Sequence, residues 1–408
     1  MIFRLDFNIS FRKLLAVSLI ISSTLSWFFF LDFYYINFFS TIVNKLFWVY
    51  MSETMFLGFA VFSAIVGSLI SERVNRRSFL FFWIALGIPV IVSSLFFRGI
   101  AFSLIFASLL GTSIGLGFPS CLAFLADSTS VEERGRVAGI AIFVVFFFIL
   151  GTVAVPSLVG FGLITIIMLC LVRLTGLLAL AIDPFYREMG KQKSWGKILS
   201  DKELMLYIFP WIMVNIADGL RTLIWPDFTT MPGFQTLVIY GYYLRYLGIG
   251  FFGLIAGMIA DRFGRKQPII LGLLLYGIGF GFLGFYGFNA TLSVLAYLLT
   301  SGVGWSFLFV VYFSVLGDLA FSNSKEKYYA IGMVTPIAIL LGFYAVSDFF
   351  KTIAPLSVAS PILSIVLFLS IFPVSHATET LNDEKIRSRK MRQYLEKVFK
   401  LVKESKTT

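Results

Sequence analysis

Runs of about 20 apolar residues, each long enough for a helix to cross a roughly 30 Å hydrocarbon core, follow one another along almost the whole chain. Most of the polar breaks between them are only a few residues long. Backbone groups in hydrocarbon find no water to bond, so runs of this length must satisfy themselves as helices. Short breaks then force neighbouring helices into antiparallel hairpins. Composition agrees, with 58% of residues apolar, 13% charged and a mean hydropathy of +0.90. A soluble domain carries about 25% charged residues. A water-soluble fold is excluded, and an all-α integral membrane protein remains.

The polar breaks place twelve spans near residues 14–37, 48–71, 78–97, 100–126, 136–156 and 158–182, then 204–226, 235–260, 268–287, 291–317, 327–349 and 356–374. The longest internal break, 183–203, carries Arg187, Lys191, Lys193, Lys197 and Lys202. It separates an N-terminal bundle (1–182) from a C-terminal bundle (204–374), and a basic tail follows at 375–408. The first apolar run follows Arg4, Arg12 and Lys13 but is too long for a cleavable signal, and it keeps the span count even.

Lysines and arginines test this topology. With both termini in the cytoplasm, all but six of the 33 fall on cytoplasmic segments. Lys45, Arg98 and Lys351 lie outside, while Arg173, Arg221 and Arg245 fall within spans. That asymmetry is the positive-inside rule, and it places the chain in the cell membrane as a multi-pass protein. The net charge of +11 is scattered over many loops, so it reads as topology and not as a nucleic-acid surface.

One break is more specific than the rest. Gly257-Met-Ile-Ala-Asp261-Arg262-Phe263-Gly264-Arg265-Lys266 lies between two apolar runs. A worn copy stands at the matching place upstream, Ser68-Leu-Ile-Ser-Glu72-Arg73-Val74-Asn75-Arg76-Arg77. The copy keeps the acid, the arginine after it and the closing basic pair. Further echoes pair Gly115-Leu-Gly117-Phe118 with Gly302-Val-Gly304-Trp305, and Leu125-Ala126-Asp127 with Leu316-Gly317-Asp318. The pattern Gly-x-x-x-Asp-Arg-x-Gly-Arg-Lys resembles the signature loop of the major facilitator superfamily, which joins spans 2 and 3 of each half. Ala126-Asp127 followed by Arg134-Gly135-Arg136 resembles the same family's loop between spans 4 and 5.

The resemblance implies twelve transmembrane helices in two pseudo-symmetric six-helix bundles, with a solute site between the halves near the midplane. It also implies a cytoplasmic gate. Glu72, Arg73, Arg76, Arg77, Asp127, Gly257, Asp261, Arg262, Gly264, Arg265 and Asp318 are its candidates. Asp261 is expected at the N-terminal end of span 5, near Gly135, where a helix dipole favours an acid. Glu72 is expected to do the same at span 11. Arg265 is expected beside Asp318, and Arg76 or Arg77 beside Asp127.

Other patterns have plainer readings. Gly248-Ile-Gly250-Phe-Phe-Gly253 and Gly279-Phe-Gly281-Phe-Leu-Gly284 match a dinucleotide fingerprint, but they lie inside spans, where small residues let helices pack closely. Cys121 and Cys170 are isolated and suggest neither metal nor disulfide. His376, the single histidine, falls in the tail, so no histidine can shuttle protons within the bilayer. Asn289-Ala-Thr291 matches a glycosylation sequon in a loop that hugs the membrane. Residues 395–403 form a basic amphipathic pattern that suits an anionic leaflet or a solvated tail. No cofactor or metal is expected.

Function is argued from charges inside spans, where each costs at least about 2.5 kcal/mol on insertion scales. They are Asp32, Glu53, Arg173, Asp218, Arg221 and Arg245. Asp32 and Arg221 stand equally far before the acids of their own half's loop, Glu72 and Asp261, and so are repeat-related candidates for an outer gate. Asp218 lies about 20 Å along span 7 and Arg245 about 15 Å down span 8, close to the midplane. Asn215, Tyr242 and Tyr246 stand beside them as further candidates for a polar patch. Three buried arginines would suit an anionic solute if they face the cavity.

The function expected is secondary active transport of a small organic solute by alternating access, coupled to protons, by a monomer in the lipid bilayer. An alternative is proton-antiport efflux of lipophilic or toxic compounds. Another, of a different class, is a non-transporting sensor on a transporter frame. No enzyme cluster and no phosphate-binding loop for ATP is visible. Gly151-Thr-Val-Ala-Val155-Pro156-Ser-Leu-Val159-Gly160 keeps only part of the antiporter pattern of span 5, and Gly111 and its neighbours fill span 4 where the family often places an arginine. Sugar-porter signatures after spans 6 and 12 are not evident.

Overall fold

The computed structural model describes residues 9–71, 73–182, 193–230, 235–285, 290–321, 323–353 and 356–381. Side chains at 32–33, 221–230, 235–240, 242, 290, 344–353 and 356–357 stand outside that description. Glu72, the Asn289 sequon and the amphipathic pattern at 395–403 are therefore outside it, as are the side chains of Asp32, Arg221 and Tyr242.

The chain folds into twelve membrane-length helical spans. In the first half they are Phe11–Ser40, Leu46–Ile70, Arg76–Ser93, Ile100–Gly115 continued by Phe118–Ser128, Arg134–Val159 and Leu163–Ile182. In the second they are Lys202–Thr230, Gln235–Phe263, Lys266–Gly284, Ala290–Leu319, Lys325–Ile353, and Leu356–Leu369 continued by Ile371–His376. Eleven of them satisfy length and hydropathy for a crossing among the described residues. The other is span 11, Lys325–Ile353, whose outer side chains stand outside that description. A short helix, Trp195–Leu199, occupies the break between the halves.

Local chemistry sets the ends. Ser10 caps span 1 by accepting from Lys13 N at 3.4 Å, and Asn75 caps span 3 by accepting from Arg77 N at 2.9 Å. Inside the spans, hydroxyls return to their own helix, as Ser22 Oγ donates to the Ser18 carbonyl at 2.6 Å. Two spans differ from the sequence expectation by an interruption. Span 4 breaks at Leu116-Gly117, ahead of Pro119, and span 12 pauses at Ser370. His376 ends that last short helix and is exposed.

The faces sort as a bilayer requires. Leu158, Phe82 and Phe147 are 83%, 71% and 70% exposed on the outside, while Trp27, Trp83, Trp211 and Tyr312 are enclosed. Exposed phenylalanines on this scale are a lipid-facing surface. Spans 5 and 8 pack together, as do spans 2 and 11, so the two halves of the chain meet along both pairs. Spans 2 and 4 approach closely: a Cβ on Gly111 would stand 2.2 Å from the Phe56 carbonyl oxygen, a backbone atom that cannot step aside. Gly111→Val is expected to cost more than the ~1–3 kcal/mol usual for overpacking and to collapse the yield of monodisperse protein in detergent. A yield equal to that of the parent would contradict this packing.

Candidate functional site

Two constellations emerge, a charge lock on the basic face and a cavity at the centre. The lock begins with Asp261. Its carboxylate accepts from Gly135 N and Arg136 N, both at 2.8 Å, and from Arg136 Nε at 3.0 Å. These N–H groups open span 5, where a helix leaves its first amides unsatisfied and its dipole favours an anion. The acid can reach them because spans 5 and 8 touch through glycine. A Cβ on Gly257 would stand 2.2 Å from the Gly135 oxygen, and one on Gly139 2.6 Å from the Gly253 oxygen.

Arg265 ties this contact to the end of span 10. It donates to Asp261 Oδ1 at 2.6 Å, to Asp318 Oδ2 at 2.8 Å and to the Val131 carbonyl at 2.5 Å, with no exposed surface. Burial lowers the Arg265 pKa, but Asp318 and Asp261 outweigh it and hold the guanidinium above its ordinary range. Arg134 pairs with the other oxygen of Asp318. On the opposite side Arg76 joins both Asp127 and Glu326, and Lys325 reaches Asp127 at 2.5 Å. Arg76 and Glu326 belong to different halves, so this cluster crosses the interface.

The remaining gate candidates are more peripheral. Gly264 has φ +101°, a left-handed turn that only glycine adopts cheaply, and it lets Glu379 cap span 9 by accepting from Arg265 N at 2.7 Å and Lys266 N at 3.1 Å. Arg262 lies over the Phe263 ring at 5.2 Å. Arg73 and Arg77 are exposed, so Arg76 is the member of its pair that reaches Asp127. Glu379→Ala is expected to loosen the loop of Gly264 and to lower Tm by about 1–2 °C, the shift that about 1 kcal/mol gives in a chain of this length. An unchanged thermal midpoint of the purified chain would rule the cap out as a contributor.

The central cavity holds about 970 Å³, its open side included. Leu25, Phe28 and Phe29 line it from span 1, Ala64 from span 2, and Ile114, Gly115 and Phe118 from the break in span 4. Span 7 contributes Trp211, Asn215, Asp218 and Gly219, span 10 Trp305 and Phe309, and span 11 Met333, Pro336, Ile337 and Leu340. Among the described residues the lining is aromatic and apolar except for one amide and one carboxylate. Asn215 Nδ2 is turned back to the Trp211 carbonyl at 2.7 Å. Asp218 Oδ1 accepts from Tyr276 Oη at 2.7 Å and from Arg245 Nη2 at 3.3 Å.

Arg245 and Arg173 do not line the cavity. Arg245 is 7% exposed behind Asp218, and Arg173 is fully enclosed between Trp27 and Trp83. Glu53 is buried in span 2, away from the lining. Tyr246 instead joins an aromatic cluster that bridges the halves, 6.2 Å from Phe29 and 5.7 Å from Phe146 between ring centroids. Tyr276, Arg134, Glu326 and Glu379 were not among the sequence candidates. Arg134 stands inside a motif quoted from the sequence, and Glu326 follows the Leu316-Gly317-Asp318 echo, whereas Tyr276 and Glu379 carry no sequence signal of their own.

The family model for the Major Facilitator Superfamily matches residues 14–343. No curated protein matches the chain. Among solved structures, the chain is similar to the proton:xylose symporter XylE bound to 6-bromo-6-deoxy-D-glucose, with TM-score 0.63 and 17% identity over 90% of this chain and 95% of that one. It is also similar to the human organic anion transporter MFSD10 (TETRAN), with TM-score 0.64 and 15% identity over 89% of this chain and 99% of that one. At such identities the structures speak for the fold alone. The family match covers well over half of the sequence, and the chain belongs to the major facilitator superfamily of membrane transporters.

Proposed function

We propose that the chain is a proton-coupled secondary transporter of a small organic solute, working by alternating access. Two units of six spans, 1–182 and 204–374, rock about the central cavity, and the basic face is cytoplasmic. Asp218 carries this reading. Among the described residues it is the one carboxylate on the cavity wall, and Arg245 and Tyr276 donate to it from spans 8 and 9. Charged, the carboxylate holds both donors. Neutral, it loses the attraction to Arg245, and spans 7, 8 and 9 are freed to move against one another. Protonation then biases two access states, and a ligand or proton shifts them only by binding one state better.

The cavity wall supports a solute with an apolar or aromatic body and one polar group. Six aromatic side chains line it among the described residues, while Arg173 and Arg245 stand behind it. An anionic solute held by Arg173 or Arg245 has no support from this lining. The same apolar wall favours efflux of lipophilic compounds as the second reading.

Asp218→Asn tests the coupling in proteoliposomes, with solutes chosen beforehand by thermal-shift screening, since a ligand bound only by the folded state raises stability. The variant is expected to fold, bind and exchange solute across the membrane, yet to lose all accumulation driven by a pH gradient. Full pH-driven accumulation would remove Asp218 from the coupling.

A further inference from the structure

Arg173 is a charge that the transport reading does not use. It is fully enclosed, and its Nε sits against the place where Gly87 lacks a side chain, 3.0 Å from a built Cβ. Its guanidinium carbon lies 4.4 Å from the centroid of Trp83 and 5.2 Å from that of Trp27. Nη2 donates to the Ser113 carbonyl at 2.9 Å, and Nη1 reaches Thr24 Oγ1 at 3.4 Å. None of these partners is a carboxylate. Among the described residues no carboxylate meets this enclosed guanidinium, and burying such a charge is costly, so the balance is sought in its other partners.

The balance is the broken end of span 4. The first piece of that span stops at Gly115, and Ser113 is in its last turn. Pro119, the second residue of the second piece, has no N–H to give the Gly115 carbonyl four residues back. The carbonyls of a helix end carry a partial negative charge, which a cation stabilises. Arg173 meets that end inside the protein, where screening is weak. The second half supplies an internal control. Its echo of Gly115-Leu-Gly117-Phe118-Pro119 is Gly302-Val-Gly304-Trp305-Ser306, with serine in place of proline, and span 10 runs unbroken from Ala290 to Leu319.

The break is also a wall of the cavity. Ile114 and Gly115 face it, one and two residues from the carbonyl that Arg173 holds, and Phe118 faces it from the start of the second piece. Leu25 and Phe28 face it beside Thr24 and Trp27, the other partners of Arg173. We propose that Arg173 is a positioning residue: from outside the cavity it stabilises the interrupted span 4 and so fixes the shape of the first half's solute-facing wall. This deepens the transport reading in that the wall is that of the proposed solute site, but its test reads shape and needs no solute to move.

The test uses the full chain carrying Ala64→Cys, a cavity position, and follows its alkylation by N-ethylmaleimide over the background of the chain without that cysteine. Arg173→Met is expected to lower Tm by at least about 5 °C and to change the alkylation rate at least about threefold. Arg173→Lys, which keeps the charge but not the planar fork, is expected to recover about half of the thermal loss. Pro119→Ala restores the missing N–H and lets span 4 continue. Combined with Arg173→Met it is expected to bring Tm back within about 2 °C of Pro119→Ala alone, a non-additive result for two sites in one network. Additive losses, or a folded Arg173→Met with the parent's alkylation rate, would overturn the proposal and leave Arg173 as packing. If Arg173→Met alone does not fold, the double variant decides: its folding supports the proposal and its failure to fold overturns it.

Discussion

Replacing Gly257 by leucine is expected to part spans 5 and 8 and to open the basic face. The Cβ alone would stand 2.2 Å from the Gly135 oxygen and 2.8 Å from the Gly135 carbonyl carbon. Both are backbone atoms, so the only relief is to part spans 5 and 8. Parting them also withdraws Gly135 N and Arg136 N from Asp261, each now bonded at 2.8 Å. Turning a 99:1 population of closed over open into its reverse takes about 5.5 kcal/mol. A leucine forced into a backbone contact, together with two lost charge-assisted bonds, is of that order. The measurement is the alkylation of a Met333→Cys reporter, which lines the cavity, by an impermeant maleimide applied to the basic face of oriented vesicles. The rate is expected to rise at least about tenfold, with Gly257→Ala moving it the same way by less. A leucine variant labelled no faster than its parent would show that the glycine contact is not what closes that face.

The residues of this lock were legible because their signal is local. An acid, an arginine and a basic pair in a loop too short to fold elsewhere must sit at a membrane face, and their repeat fixes the partner loop. Asp261 against the start of span 5, Arg265 beside Asp318 and Arg76 beside Asp127 are positions of that kind. What sequence could not give is the direction in which a span's side chains point. A soluble helix advertises its buried face by polarity, but both faces of Leu163–Ile182 are apolar, one for lipid and one for neighbours. Depth can be counted from the loops; azimuth cannot. Arg173 was therefore grouped with Arg245 as a candidate for gripping solute, although it stands behind the wall. Tyr276 was invisible for the same reason, one tyrosine among many until span 9 turns it toward Asp218. The interruption of span 4 is a different case. Its glycines were seen as an internal echo, but the residue that sets the two copies apart is Pro119 against Ser306, just beyond the echo.

Arg265→Met is the substitution expected to cost most in the lock. The arginine is fully enclosed and is the cation shared by Asp261 and Asp318. Removing one partner of a buried ionic network typically costs about 3–5 kcal/mol, because it strands charge that has already lost its water. Here two carboxylates lose a partner at once, although Arg136 remains for Asp261 and Arg134 for Asp318. Replacing both sides tests the cause. Asp318→Asn added to Arg265→Met removes one stranded charge and is expected to return at least about 1.5 kcal/mol. The sign with pH follows from the arginine itself. Its folded pKa is raised above the unfolded value, so its contribution is fully present below the unfolded pKa and lost only as pH rises through the folded one. An ordinary arginine already titrates far on the alkaline side, so that loss lies beyond any working pH. The parent's lock should therefore gain no pH dependence from Arg265 between about pH 5 and 9. Thermal unfolding of parent, single and double variants across that range reads all three expectations. A double variant no more stable than Arg265→Met would mean that lost packing, and not stranded charge, sets the cost.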